Sequence, residues 1–170
     1  MKQLFNSEIT TFFAKVLGIY ICWYLIYELW LLPDGTLDEW LALNIVDVSV
    51  GLLNTFGYET YRAGRMLGIG EANGILLVDG CTGISAIGLF VGFVAAYPGR
   101  WIPRLAFIGF GIGVIYLVNI IRICFLAITQ ITHPKLFDIT HDYSTTAIFY
   151  IVIFALWVIW ANWGDSESKK

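Results

Sequence analysis

Cys81, Arg122 and His141 are the side chains of this sequence best suited to covalent chemistry. A thiol, an imidazole and a guanidinium together suit acyl transfer. The imidazole takes the thiol proton, the thiolate attacks a carbonyl, and an acyl-enzyme forms. The guanidinium can steady the thiolate, the tetrahedral oxyanion or a substrate carboxylate. The imidazolium then protonates the leaving amine. Each residue also has a plainer reading. Cys81, in "VDGCTGISAIGLF", could be a small packing residue. Arg122 could snorkel toward an interface. His141 could be a surface histidine, with His133 as the competing candidate in the same segment. What separates these readings is where the surrounding elements place the three residues.

The composition sets those elements in a membrane. Of 170 residues, 58% are hydrophobic and 14% are charged. Soluble domains run at about 45–50% and about 25%. Mean hydropathy is +0.74. Runs of roughly 20 apolar residues are needed to cross a bilayer. Phe12–Leu32, the shorter Thr82–Tyr97, Leu105–Ile128 and Thr145–Trp163 are the predicted spans. The first has no small-residue cleavage site and reads as a retained helix rather than a signal peptide. The expected fold class is an all-α polytopic membrane protein with about four transmembrane helices. Residues 1–164 form one integral membrane domain, and Asp165–Lys170 read as a disordered cytoplasmic tail. No basic block points to nucleic acid. The net charge is -3. No CxxC pair points to zinc or dithiol chemistry, so neither metal nor cofactor is expected. Cys22 and Cys124 fall in apolar runs and read as inert packing.

Lys2, Lys15, Arg100, Arg104, Lys169 and Lys170 all fall on one side of this layout, which the positive-inside rule makes cytoplasmic. Both termini are therefore expected inside. Pro33–Gly80 and the loop Thr129–Ser144, which carry most of the acids, are expected outside. Leu41–Gly57 is apolar but interrupted by Asn44, Asp47 and Asn54, and reads as an amphipathic or re-entrant helix. Arg62–Gly80 is turn-rich and hairpin-like. The GxxxG pairs Gly88/Gly92 and Gly109/Gly113 predict close helix packing in a tight bundle.

On this topology Cys81 lies at the outer start of the second span and His141 just before the fourth. Arg122 lies on the third, about 9 Å below its outer end at 1.5 Å per residue. An arginine within a span is costly and should face the protein interior or a wet cavity. Asn119 precedes Arg122 by three positions and shares its helical face, and Tyr116 extends the stripe. A thiol at a helix N-terminus is favoured as thiolate.

The stretches "GCTGI" and "NIIRI", followed by His141 ahead of a last apolar span, resemble the exosortase/archaeosortase family. The resemblance covers about 75–150 and matches the compact branch of that family. It implies a membrane cysteine peptidase or transpeptidase with Cys81 as nucleophile, Arg122 as essential arginine and His141 as general base and acid. Asn119, Thr82 and Gly83 would support them. It also implies substrates that are secreted proteins ending in a sorting signal: a short motif, a transmembrane helix and a basic tail. The enzyme would sit in the plasma (inner) membrane and cut at its outer face. Two other readings of the residues stay open. One is a non-enzymatic assembly or transport subunit with Arg122 as a structural or ligand-binding charge. The other is a thiol–disulfide oxidoreductase pairing Cys81 with Cys124.

Overall fold

A computed structural model describes the backbone at residues 2–97 and 99–168, and the side chains at 10–97, 99–133 and 147–164. Helix accounts for 77% of the described residues. Helix α1 (Lys2–Ile26) passes through one π-helical turn, Tyr27–Leu31, into the short α2 (Leu32–Asp34). Gly35, at φ +70°, turns the chain into α3 (Thr36–Thr55). Three short strands follow: β1 (Thr60–Ala63), β2 (Met66–Ile69) and β3 (Ile75–Leu76). Helices α4 (Ile84–Ala96), α5 (Trp101–Thr132) and α6 (Pro134–Ser168) complete the chain. Residues 169 and 170 lie outside the described residues.

Among the described residues, three helices are long and apolar enough to cross a membrane: Thr10–Asp34, Trp101–Thr132 and Ala147–Gly164. The expected second span is shorter than predicted. Its helix has 13 residues, about 20 Å at 1.5 Å per residue, against roughly 30 Å of hydrocarbon core. The shortening has a local cause. Gly80 and Gly83, at φ +86° and +85°, hold the residues between them in a turn outside the helix.

Two further expectations are corrected. The fold is not purely helical, because the turn-rich segment 60–76 pairs into a three-stranded antiparallel sheet ordered β1-β2-β3. Ala63 pairs with Met66 across a two-residue turn whose first residue, Gly64, is at φ +57°, the geometry such hairpins favour. Also, Thr129–Ser144 is not a loop. α5 continues to Thr132, and after His133 Pro134 opens α6 at a first-turn position, where proline lacks no needed donor. Arg122 therefore lies about 15 Å from the end of its helix rather than about 9 Å.

The interior has two parts. One joins α3 (Ala42, Ile45, Val46, Leu53), the sheet (Leu67, Ile69, Ile75) and the second half of α5 (Ile120, Ile123, Ala127). The other joins Phe90 and Val94 of α4, Phe107 and Ile115 of α5, and Phe149, Ile153 and Trp160 of α6. α3 thus packs one face beside α5 and leaves Val48 and Leu52 exposed on the other. Ion pairs Arg62–Asp47 and Arg65–Asp79 tie the hairpin to α3 and to the approach to Cys81.

The glycine expectations hold for one helix and shift on the other. Gly88 lies against the Trp23 ring and Gly92 against Ile19, so both seat α1 on α4. On α5 the close approach is made by Gly111, which the Phe90 ring covers, whereas Gly109 and Gly113 meet nothing within 4 Å. The reason is helical phase, since Gly111 faces α4 and its neighbours two positions away do not. Gly111→Ala is expected to lower stability by about 1–3 kcal/mol through overpacking. Gly113→Ala should be neutral or mildly stabilising. Thermal unfolding of the purified protein in detergent measures both.

Candidate active site

The site is built on the tetrapeptide Gly80-Cys81-Thr82-Gly83. The Cys81 N–H donates to the Val78 carbonyl at 3.0 Å, closing a turn. The Gly83 carbonyl accepts from Ile87 N–H at 2.9 Å and starts α4. The thiol therefore stands just ahead of the helix, half-buried.

Two helices hold this turn directly. From α5, the Asn119 side-chain amide donates to the carbonyls of both Cys81 and Thr82, each at 3.0 Å. From α3, the Asp38 carboxylate accepts the Thr82 hydroxyl at 2.8 Å. Asp38 also accepts the Tyr27 hydroxyl, at 3.1 Å on Oδ2. Tyr27 comes from the π-helical turn, where an extra residue per turn shifts the register of side chains. Trp23 stacks on Tyr27 with ring centroids 5.3 Å apart. Asp38 is fully buried, at 0% exposure, so both hydroxyl donors matter to its placement.

Arg122 lies one turn beyond Asn119 on the same face of α5, and only 4% of it is exposed. The Cys81 side chain is near enough to act on its guanidinium electrostatically. The guanidinium also stands 5.5 Å from the Phe149 ring of α6. Phe149 in turn lies against Gly83, where an added Cβ would meet it at 3.5 Å. The Nε and Nη1 atoms of Arg122 are buried with no hydrogen-bond partner among the described residues. An arginine this buried does not snorkel, which removes the plain interfacial reading. It is a preformed donor set facing a thiol.

The structure thus brings Cys81, Thr82, Gly83, Asn119 and Arg122 together. His141 stands on α6 about two turns ahead of Phe149, and its side chain lies outside the described residues. His133 is exposed and caps α5 through its N–H to the Thr129 carbonyl. Tyr116 belongs to the apolar cluster around α3 rather than to the site. The packing role expected of the other cysteines applies to one of them. Cys124 is buried with its Sγ on the Ser49 carbonyl at 3.8 Å, while Cys22 is exposed on α1. All three thiols are free, with Cys124 directed at α3.

Asp38, Tyr27 and Phe149 are the residues that sequence reasoning missed. Asp38 reads as one of many acids of an outer segment, and the two aromatics read as ordinary residues of apolar runs. Asp38→Ala would orphan two buried hydroxyls, at about 1–3 kcal/mol each. Asp38→Asn keeps an acceptor and should lose about half as much. Unfolding midpoints of the two variants, compared with wild type, measure the difference.

This arrangement is that of a multi-pass membrane protein carrying a thiol–guanidinium pair at the head of a short helix. The chain belongs to the transmembrane exosortase family, whose model (Exosortase_EpsH) matches residues 4–158. Members of that family are in general cysteine-type transpeptidases acting on secreted proteins with sorting signals. No curated protein and no solved structure matches the chain.

Proposed function

We propose that this protein is a membrane-embedded cysteine peptidase or transpeptidase that removes the C-terminal sorting signal of secreted proteins. The observation that carries the reading is the Cys81 thiol beside the buried, incompletely hydrogen-bonded Arg122. Cys81 is the nucleophile. His141, whose role comes from the family resemblance, takes the thiol proton. The thiolate adds to the carbonyl carbon of the scissile peptide bond, and Arg122 stabilises the resulting oxyanion. Collapse of the tetrahedral species breaks the C–N bond, and His141 returns the proton to the departing amine. An acceptor amine, or water, then attacks the thioester and releases Cys81.

Asn119 and Thr82 serve by holding the turn, and Gly83 by taking the positive φ that leads into the helix. The membrane domain spans 1–164 with its core at about 75–150. It sits in the plasma (inner) membrane with both termini cytoplasmic, by the lysine and arginine distribution. The chemistry then falls on the extracytoplasmic side and needs neither metal nor cofactor. The test is co-expression of tagged secreted proteins with wild type or Cys81→Ala, followed by mass spectrometry of their C-termini. A new C-terminus made by wild type and absent with Cys81→Ala supports the reading. The same new terminus made by Cys81→Ala overturns it.

A further inference from the structure

A groove of about 640 Å³ runs between α1, α4 and α6. Its α1 wall is a stripe at helical spacing that includes Leu17, Tyr20, Tyr24 and Glu28, faced by Leu89 of α4 and Tyr150 of α6. All six are exposed. The stripe climbs the first membrane-crossing helix. It reaches a wall formed by Gly80 and Gly83, which flank Cys81, and by Ser85 at the start of α4.

The acid breaks an otherwise apolar wall, and its level is known. Tyr27, its neighbour in the chain, bonds to Asp38, and Asp38 to Thr82. Glu28 therefore stands at the height of the Cys81 turn. An occupant must be apolar along the helices and polar or cationic at this one end. Within a bilayer a peptide meets the first requirement only as a helix, because its backbone groups must bond internally. A phospholipid is disfavoured, since its phosphate would lie near the Glu28 carboxylate. We propose that this groove seats a single transmembrane helix of a second protein, with Glu28 selecting a lysine or arginine at the helix's outer end. The chain leaving that helix enters the Cys81 turn directly. The proposal rests on the peptidase reading for what happens next, but the seat itself is testable without it.

The experiment uses the full-length Cys81→Ala protein in phosphatidylcholine nanodiscs, so no cleavage is needed. A photoreactive benzoylphenylalanine replaces Tyr20 in the groove, or Ile121 on the exposed face of α5 as control. The probe is a biotinylated leucine-alanine helix of about 20 residues with lysine at its outer flank, beside a twin carrying glutamate there. The lysine peptide should form adducts at position 20 and few at position 121. It should exceed its glutamate twin by about fivefold, the upper end for an exposed ion pair. Glu28→Lys should invert that preference. Equal adducts at the two positions overturn the proposal, as does a preference indifferent to Glu28. Adducts with phosphatidylcholine that the peptide does not displace also overturn it, in favour of a lipid site. Processing of tagged proteins by wild type is read separately, so a failed seat and a failed peptidase reading give different results.

Discussion

Cys81→Ser is expected to leave the protein in the membrane at wild-type abundance while processing falls by about 10⁴-fold or more, as for other covalent nucleophiles. The contacts that hold the turn belong to the backbone and to Thr82. The Cys81 carbonyl accepts from Asn119 and its N–H donates to Val78. A hydroxyl in place of the thiol disturbs neither. Chemistry changes instead. A thiol is acidic enough for an imidazole to deprotonate it. A serine hydroxyl is far less acidic and requires a stronger base. The measurement is a pulse–chase of a tagged secreted protein, following loss of the full-length form. Processing by Cys81→Ser near the wild-type rate would show that the nucleophile lies elsewhere.

Arg122→Met should separate activity from stability. The guanidinium is buried against Cys81 and Phe149, with two nitrogens unpartnered among the described residues. A buried guanidinium with unpartnered nitrogens carries a desolvation cost that an apolar side chain of similar volume does not. The unfolding midpoint of Arg122→Met should accordingly hold or rise. Processing should fall by about 10²–10³-fold, the usual loss of an oxyanion-stabilising donor. Arg122→Lys keeps the charge but not the planar fork, and should fall between these limits. If Arg122 stabilises the transition state, the loss appears in kcat. A loss confined to KM would assign it to substrate binding. An inactive Arg122→Met that also unfolds at much lower temperature would make the arginine structural.

Much of the architecture is legible locally. Composition places the chain in a membrane, and three of the predicted spans fall within helices long and apolar enough to cross one. The spacing of Asn119 and Arg122 puts both on one face of α5, and the structure turns that face toward Cys81. The glycines of "GCTGI" mark a turn that local chemistry demands, since both adopt positive φ. Family membership is also readable, because it rides on these short patterns in order.

What the tertiary structure alone decided concerns contacts across the chain. Asp38 and Thr82 are 44 positions apart, and no period in either segment announces that one will hold the other. Hydropathy counted Asp38 as a solvated acid, yet packing of α3 beside α5 buried it and supplied two hydroxyl donors. The choice of Gly111 over Gly109 and Gly113 needed the rotation of α5 against α4. The sheet needed three weak strand signals to meet. The groove that ends at Gly80 and Gly83 needed α1, α4 and α6 to be arranged around it. Sequence by itself determined the membrane setting, three of the long apolar helices and the candidate reactive groups, because these depend on runs and periods within one segment. The partners of those groups depend on which faces meet, and that is settled by packing between segments.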